Sequence, residues 1–189
     1  MLSGILNQIE ELIDKAIKLK KDENYESALN ILEDLFNKEP RSENVKNAFI
    51  EVLFDYGGYL NDDWTLKYDK AVECYKKIIS LDSRNYRAWY SLGVAYHNLQ
   101  KIEEALSSYV EALKIKPNHA FCYYNMGLIY EIHKEDLEKA LKLYEKALNY
   151  DANFVYASQA RDDVKKKLND LKLSQIKDTK EKFDLEDIF

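Results

Sequence analysis

An all-α chain built from four stacked helical hairpins and closed by a capping helix is predicted by three observations. Trp89-Tyr90-Ser91-Leu92-Gly93-Val94-Ala95-Tyr96 and Tyr123-Tyr124-Asn125-Met126-Gly127-Leu128-Ile129-Tyr130 are one pattern written twice, 34 residues apart. A period of that length is one helical hairpin, too small to bury its own apolar face and so obliged to stack on the next. Second, Ala28, Ala71, Ala105 and Ala140 recur at spacings of 43, 34 and 35, each followed four residues on by Leu32, Tyr75, Tyr109 or Tyr144. Third, only five Gly and two Pro interrupt a chain that is 46% hydrophobic, which favours long helices joined by short loops over a sheet or a disordered chain.

The elements follow in order. The first hairpin (about 9–42) opens on a helix carrying Ile9, Leu12, Ala16 and Leu19, and Ile5 and Leu6 are available to extend it. In the second (43–85), Phe49, Val52, Leu53 and Tyr56 align with Trp89, Leu92, Gly93 and Tyr96, leaving six extra residues in the hairpin turn and three in the turn before it. Other registers stay open there. The extra turn residues fall in 57–68, which contains Trp64, either an anchor for a partner or a side chain tucked between its own helices. In the third (86–119), Trp89, Leu92, Gly93 and Tyr96 occupy i, i+3, i+4 and i+7, one face of a helix, and Ala105, Tyr109 and Ala112 do the same on the next. Small residues there let two helices approach, and the neighbouring helix's aromatic fills the space above them. The fourth hairpin (120–154) repeats this. Pro40 and Pro117 stand where one unit gives way to the next, because a missing N–H and a restricted preceding residue stop a helix. A cap over 155–172 is apolar along Ala160, Val164, Leu168 and Leu171 and charged elsewhere, and 1–172 forms the array.

These residues resemble the tetratricopeptide repeat (TPR) family, whose pattern is W-x2-L-G-x2-Y, then A-x3-F-x2-A, then P. The unit from Tyr86 to His119 matches at every marker except Tyr109, where Phe is usual. The resemblance implies a right-handed α-solenoid acting as a non-catalytic, cytoplasmic protein-interaction adaptor or scaffold, with the first helices of its hairpins lining a concave groove. The family's groove positions carry over to Ile13 and Ile17, Ile50 and Phe54, Tyr90 and Val94, and Tyr124 and Leu128, with Asn125 beside them. Family members that clamp an acidic chaperone terminus use Lys and Arg where this chain has Tyr90, Tyr156 and Ala160. An apolar segment, helical or extended, suits the stripe instead; the other reading is that adjacent helices partly cover it. A homo-oligomeric structural protein, joined through its array ends or its tail, is the alternative function.

The remaining residues exclude other chemistry. A net charge of −6 offers nothing to offset repulsion from phosphates, so neither nucleic acid nor anionic membrane is an expected partner. No stretch approaches the roughly 18 apolar residues of a membrane span, and the amino end does not read as a secretion signal. Cys74 and Cys122 show no pairing pattern and suit a reducing compartment. There is no phosphate-binding Gly-rich loop, His pair or nucleophile elbow, so no catalytic residue, metal or cofactor is expected. The tail, 173–189, ends in Phe183, Leu185, Ile188 and Phe189 interleaved with acids. It reads as a docking segment for another protein such as a sliding clamp, for this chain's own groove or a neighbour's, or as a frayed acidic end.

Overall fold

The computed structural model describes residues 2–62 and 64–186, with side chains at 6–62 and 64–176. Among the described residues every regular element is an α-helix, and the chain divides into two compact units, Met1–Ile115 and Lys116–Phe189. The first holds three hairpins: α1 (Leu2–Lys21) with α2 (Tyr25–Lys38), α3 (Glu43–Leu60) with α4 (Tyr68–Leu81), and α5 (Tyr86–Asn98) with α6 (Ile102–Ile115). The second pairs α7 (Ala120–Ile132) with α8 (Leu137–Tyr150), and α9 (Val155–Glu186) packs on α8.

Helix starts are set by side chains that satisfy orphan N–H groups. Asn24, Ser42, Asn85 and Asp136 each accept from the backbone N–H three residues on, at 3.4, 3.5, 3.2 and 2.9 Å. The hairpin turns share a feature that sequence reading missed. Two residues before each second helix, the backbone turns left-handed at Glu23, Leu66, Gln100 and Glu135, with φ of 58, 52, 59 and 53°. None is glycine, so glycine counting could not have found them.

Three contacts repeat from hairpin to hairpin and fix their register. Tyr109 lies over Gly93 and Tyr144 over Gly127, so close that an added Cβ would stand 2.5 Å from either ring. Trp89 Nε1–H donates to the Ser83 carbonyl at 3.1 Å, and Tyr123 O–H to the Pro117 carbonyl at 2.9 Å, each tying a helix back to the turn six residues before it. The backbone carbonyls of Leu19, Tyr96 and Tyr130 accept from Asn24, Lys101 and Asp136 across the hairpin turns.

In the second hairpin these contacts correct the expected alignment by one helical turn. Tyr75 covers Gly57, not Leu53, with its Cε1 2.9 Å from where a Cβ would be. The Leu60 carbonyl accepts from Lys67 as Tyr96 does from Lys101. Gly57 therefore stands in the Gly93 position, and the hairpin turn is two residues longer than its counterpart rather than six. The remaining extra length lies before it: Ala28 to Gly57 spans 29 residues, against 22 from Ala71 to Gly93 and 22 from Ala105 to Gly127. Two added turns at the amino end of α3 absorb the difference, making that helix 18 residues long where α5 has 13. The added turns bury Val45, Ala48 and Phe49.

The core of the first unit gathers Ala16, Leu32, Phe49, Val52, Tyr75 and Ile78, all buried. Lys20 on α1 bridges Glu51 and Asp55 on α3 at 2.6 and 2.8 Å, and both carboxylates hold its ammonium above the usual lysine range. In the second unit α9 buries Val164 against Ala140 and Tyr144, with Ala160 and Leu168 partly covered, which is the capping contact expected for the end of an array. No helix break marks the expected boundary between cap and tail at 172 and 173. The helix runs on to Glu186, but its side chains from Asn169 to Gln175 and Ile176 are exposed.

Candidate peptide-binding grooves

Every expected groove side chain is half-buried: Ile13, Ile17, Ile50, Phe54, Tyr90, Val94, Tyr124, Asn125 and Leu128 each keep part of their surface open. They do not form one uniform stripe. Ile13 and Ile17 floor a cavity of about 330 Å³ walled by the first half of α3, where Asn44, Asn47 and Glu51 face Glu10 and Asp14 of α1. That pocket is acidic at its rim. In α3 the register shift gives Phe54 the position of Tyr90, shown by its ring 6.2 Å from Tyr75, as Tyr90 lies 5.9 Å from Tyr109. Ile50 thereby moves out of the repeating pair, and Gly58 takes the place of Val94. An added Cβ on Gly58 would meet nothing within 4 Å, so the inner face of α3 opens there to bare backbone. Arg87 lies 5.2 Å from the Phe54 ring, a cation on its exposed face.

The second unit holds a larger groove, about 520 Å³, between α7 and α9. Tyr124 and Leu128 form its floor on α7, and Ile132 extends that floor by one turn. Tyr156 and Ala160 face them from the start of α9; Tyr156 and Ile132 are both mostly exposed. Asn125 is on α7 but does not line this groove. Beyond the apolar part, Glu131 binds two partners: its Oε2 accepts from the buried Tyr144 hydroxyl at 2.8 Å and its Oε1 from Lys167 at 2.6 Å. One carboxylate thus ties α7, α8 and α9 together. Ile132 and the Glu131 network were not legible in the repeat pattern, because Glu131 and Ile132 fall between its markers Tyr130 and Ala140.

Trp64 stands in the α3–α4 turn with 95% of its surface exposed, so it is not tucked between its own helices as one reading had it. Its N–H donates to Asp62 at 3.0 Å, which holds the backbone while leaving the ring outside. The tail residues Ile188 and Phe189 lie outside the described residues, and for Phe183 and Leu185 only the helical backbone is described. From Ala160 to Phe183, 23 residues of continuous helix cover about 35 Å. While α9 stays helical, its far end cannot fold back into its own groove.

Neither cysteine is poised for chemistry. Burial raises Cys74 to about 11 and Cys122 to about 12, which keeps both as thiols at neutral pH. Among the described residues no cluster of three His, Cys, Asp or Glu is placed to hold a metal, and no helix is long and apolar enough to cross a membrane.

Half-buried aromatic and aliphatic side chains on the first helix of each hairpin, with tyrosines seated on glycines between the paired helices, define a helical-repeat protein. Residues 86–119 match the tetratricopeptide repeat model, 67–100 a TPR repeat model, and 122–154 a second tetratricopeptide repeat model. The chain is a tetratricopeptide repeat protein. It is 43% identical over 63 residues to a TPR repeat-containing protein of Methanocaldococcus jannaschii, a match covering 33% of this chain and 11% of that protein. In three dimensions it is similar to MamA, with a TM-score of 0.60 and 22% identity over 87% of this chain and 96% of that one. It is also similar to the first TPR of Spaghetti (RPAP3) bound to the HSP90 peptide SRMEEVD, with a TM-score of 0.57 and 26% identity over 64% and 93% of the two chains.

Proposed function

We propose that this chain is a non-catalytic adaptor that holds an apolar peptide segment of a partner protein against the inner faces of its hairpins. The observation that carries this reading is the α7–α9 groove, sized for a few side chains, in which Tyr124, Leu128, Ile132 and Tyr156 form an apolar part beside charged residues of α7 and α9. Phe54, Tyr90 and Val94 offer the same chemistry within the first unit. The RPAP3 repeat holds a peptide ending in acidic residues, which supports peptide binding by this fold in general.

The ligand chemistry differs. Where a carboxylate clamp needs cations, this chain places Tyr156 and Ala160 on the groove wall, and Lys167 is engaged by Glu131. Lys166 lines that groove as well, but with Glu131, Asp163 and Asp170 present the two lysines are outnumbered by three carboxylates, so a ligand's carboxylates would meet a net negative charge there. Burying about 300 Å² of apolar side chain contributes roughly 7 kcal/mol before ordering costs, which caps the affinity near about 10 µM and makes it weaker once those costs are met.

Random dodecapeptides displayed on phage and panned against the full chain test this. Enriched peptides should be rich in Leu, Ile, Phe and Trp. Their synthetic versions should bind Val94→Asn/Leu128→Asn at least tenfold more weakly, with the helical circular dichroism unchanged. Enrichment of acidic peptides, or undiminished binding to the double variant, would refute the apolar groove.

A further inference from the structure

We infer that the cavity between α1 and α3 is a separate recognition site, which takes one lysine or arginine side chain from a peptide segment of a partner protein. Its shape comes from the added length of α3. Counted back from Gly57, Asn44, Asn47 and Ala48 lie further out than α5 reaches from Gly93 or α7 from Gly127. The wall they build therefore has no counterpart in the third or fourth hairpin, and the site goes beyond the apolar groove proposed above. At about 330 Å³ it is at the small end for a ligand pocket, which suits a single side chain.

The chemistry of the walls says which side chain. The floor is apolar: Ile13 and Ile17 are half-buried and Ala48 is buried. The rim is acidic, with Glu10, Asp14 and Glu51 all exposed, and among the described residues no lysine, arginine or histidine lines it. Glu51 is held by Lys20 at 2.6 Å, a lysine that also binds Asp55 at 2.8 Å. With Lys20 set against Glu51, the charges of Glu10 and Asp14 remain. A greasy floor under a negative rim is complementary to a side chain that is aliphatic along its stem and cationic at its tip, as lysine and arginine are. The side-chain carbonyls of Asn44 and Asn47 offer further acceptors for the head group. A leucine or phenylalanine would cover the isoleucines but gain nothing from the rim, and an acidic side chain would be repelled. A metal ion would leave the isoleucines unused, and among the described residues no three His, Cys, Asp or Glu are placed to hold one. Charge complementarity thus selects a basic segment.

Acetyl-Ala-Arg-Ala-amide, titrated to about 10 mM into the full chain with isotope-labelled isoleucine methyl groups, is the probe, its alanines giving the apolar groove nothing to hold. The Ile13 and Ile17 methyl resonances should shift with this peptide and with its lysine analogue. They should shift at least about fivefold less with the citrulline analogue, which keeps the shape of arginine without its charge, and the arginine effect should weaken at about 0.5 M salt. Ile132, on the floor of the α7–α9 groove, should stay still. Glu10→Gln/Asp14→Asn should lower the affinity at least about tenfold at an unchanged thermal midpoint, since both side chains are exposed. Asn44→Lys, which sets a cation on the rim, should do the same. No shift at Ile13 and Ile17, an equal response to citrulline, an equal shift at Ile132, or undiminished binding by the two variants overturns the inference. The apolar groove is tested by other ligands and other residues, so either reading can fail alone.

Discussion

Adding one methyl group at each of three helix glycines should produce opposite effects. Ala is preferred over Gly inside a helix by about 1 kcal/mol, so each change carries that gain. At Gly58 nothing opposes it, since the new Cβ meets open space. Gly58→Ala should stabilise by about 1 kcal/mol. At Gly127 the Cβ would stand 2.5, 2.7 and 3.1 Å from three atoms of the Tyr144 ring. That ring is fully buried, lies 5.8 Å from Tyr124 and is held at its hydroxyl by Glu131, so it has no cheap retreat. Overpacking of this kind costs about 1–3 kcal/mol and here should exceed the helix gain, leaving Gly127→Ala destabilised by about 1–2 kcal/mol. Gly93→Ala should behave alike beneath Tyr109. Urea unfolding followed by circular dichroism measures all three, and the thermal midpoints of Gly58→Ala and Gly127→Ala should differ by at least about 5 °C. A Gly127→Ala protein as stable as Gly58→Ala would refute the account of how these hairpins close.

The left-handed residue in each hairpin turn gives a second test: Gln100→Gly should raise stability by up to about 1 kcal/mol, read as a higher urea midpoint with unchanged slope. The cysteines give a pH dependence. Their folded pKa values lie above the unfolded ones, so above about pH 8.5 the folded protein binds more protons than the unfolded chain and stability falls as pH rises. Urea midpoints at pH 7.5 and 9.5 should show that fall, and Cys74→Ala/Cys122→Ala should reduce it. A thiol reagent at pH 8 should label neither cysteine until urea is added.

Repeat spacing made the four hairpins and the cap legible because stacking forces small and aromatic residues back to the same depth every turn of the array. It failed at α3 for a physical reason. Val45, Ala48, Phe49, Val52, Leu53 and Tyr56 carry one helical apolar period from the two added turns into the rest of α3, so period alone cannot say which turn faces Tyr75. The pair Gly57-Gly58 held the answer, since only a glycine can sit beneath that ring. The groove side chains were legible in kind but not in surroundings: the walls around Ile13 and the tie between Glu131, Tyr144 and Lys167 arise from tertiary placement. The course of the tail was also hidden, because a charged stretch with scattered apolar residues reads equally as coil or as a helix lacking its partner.

Glu131 has a bearing on what the α7–α9 groove turns away. Its two oxygens are already occupied, one by a buried phenol and one by the ammonium of Lys167. A guest lysine or arginine drawn to that carboxylate would compete with Lys167 for it and so weaken one of the ties that holds α9 in place. A cationic side chain seated at Glu131 would thus loosen the wall it lies against, whereas an uncharged one leaves it standing.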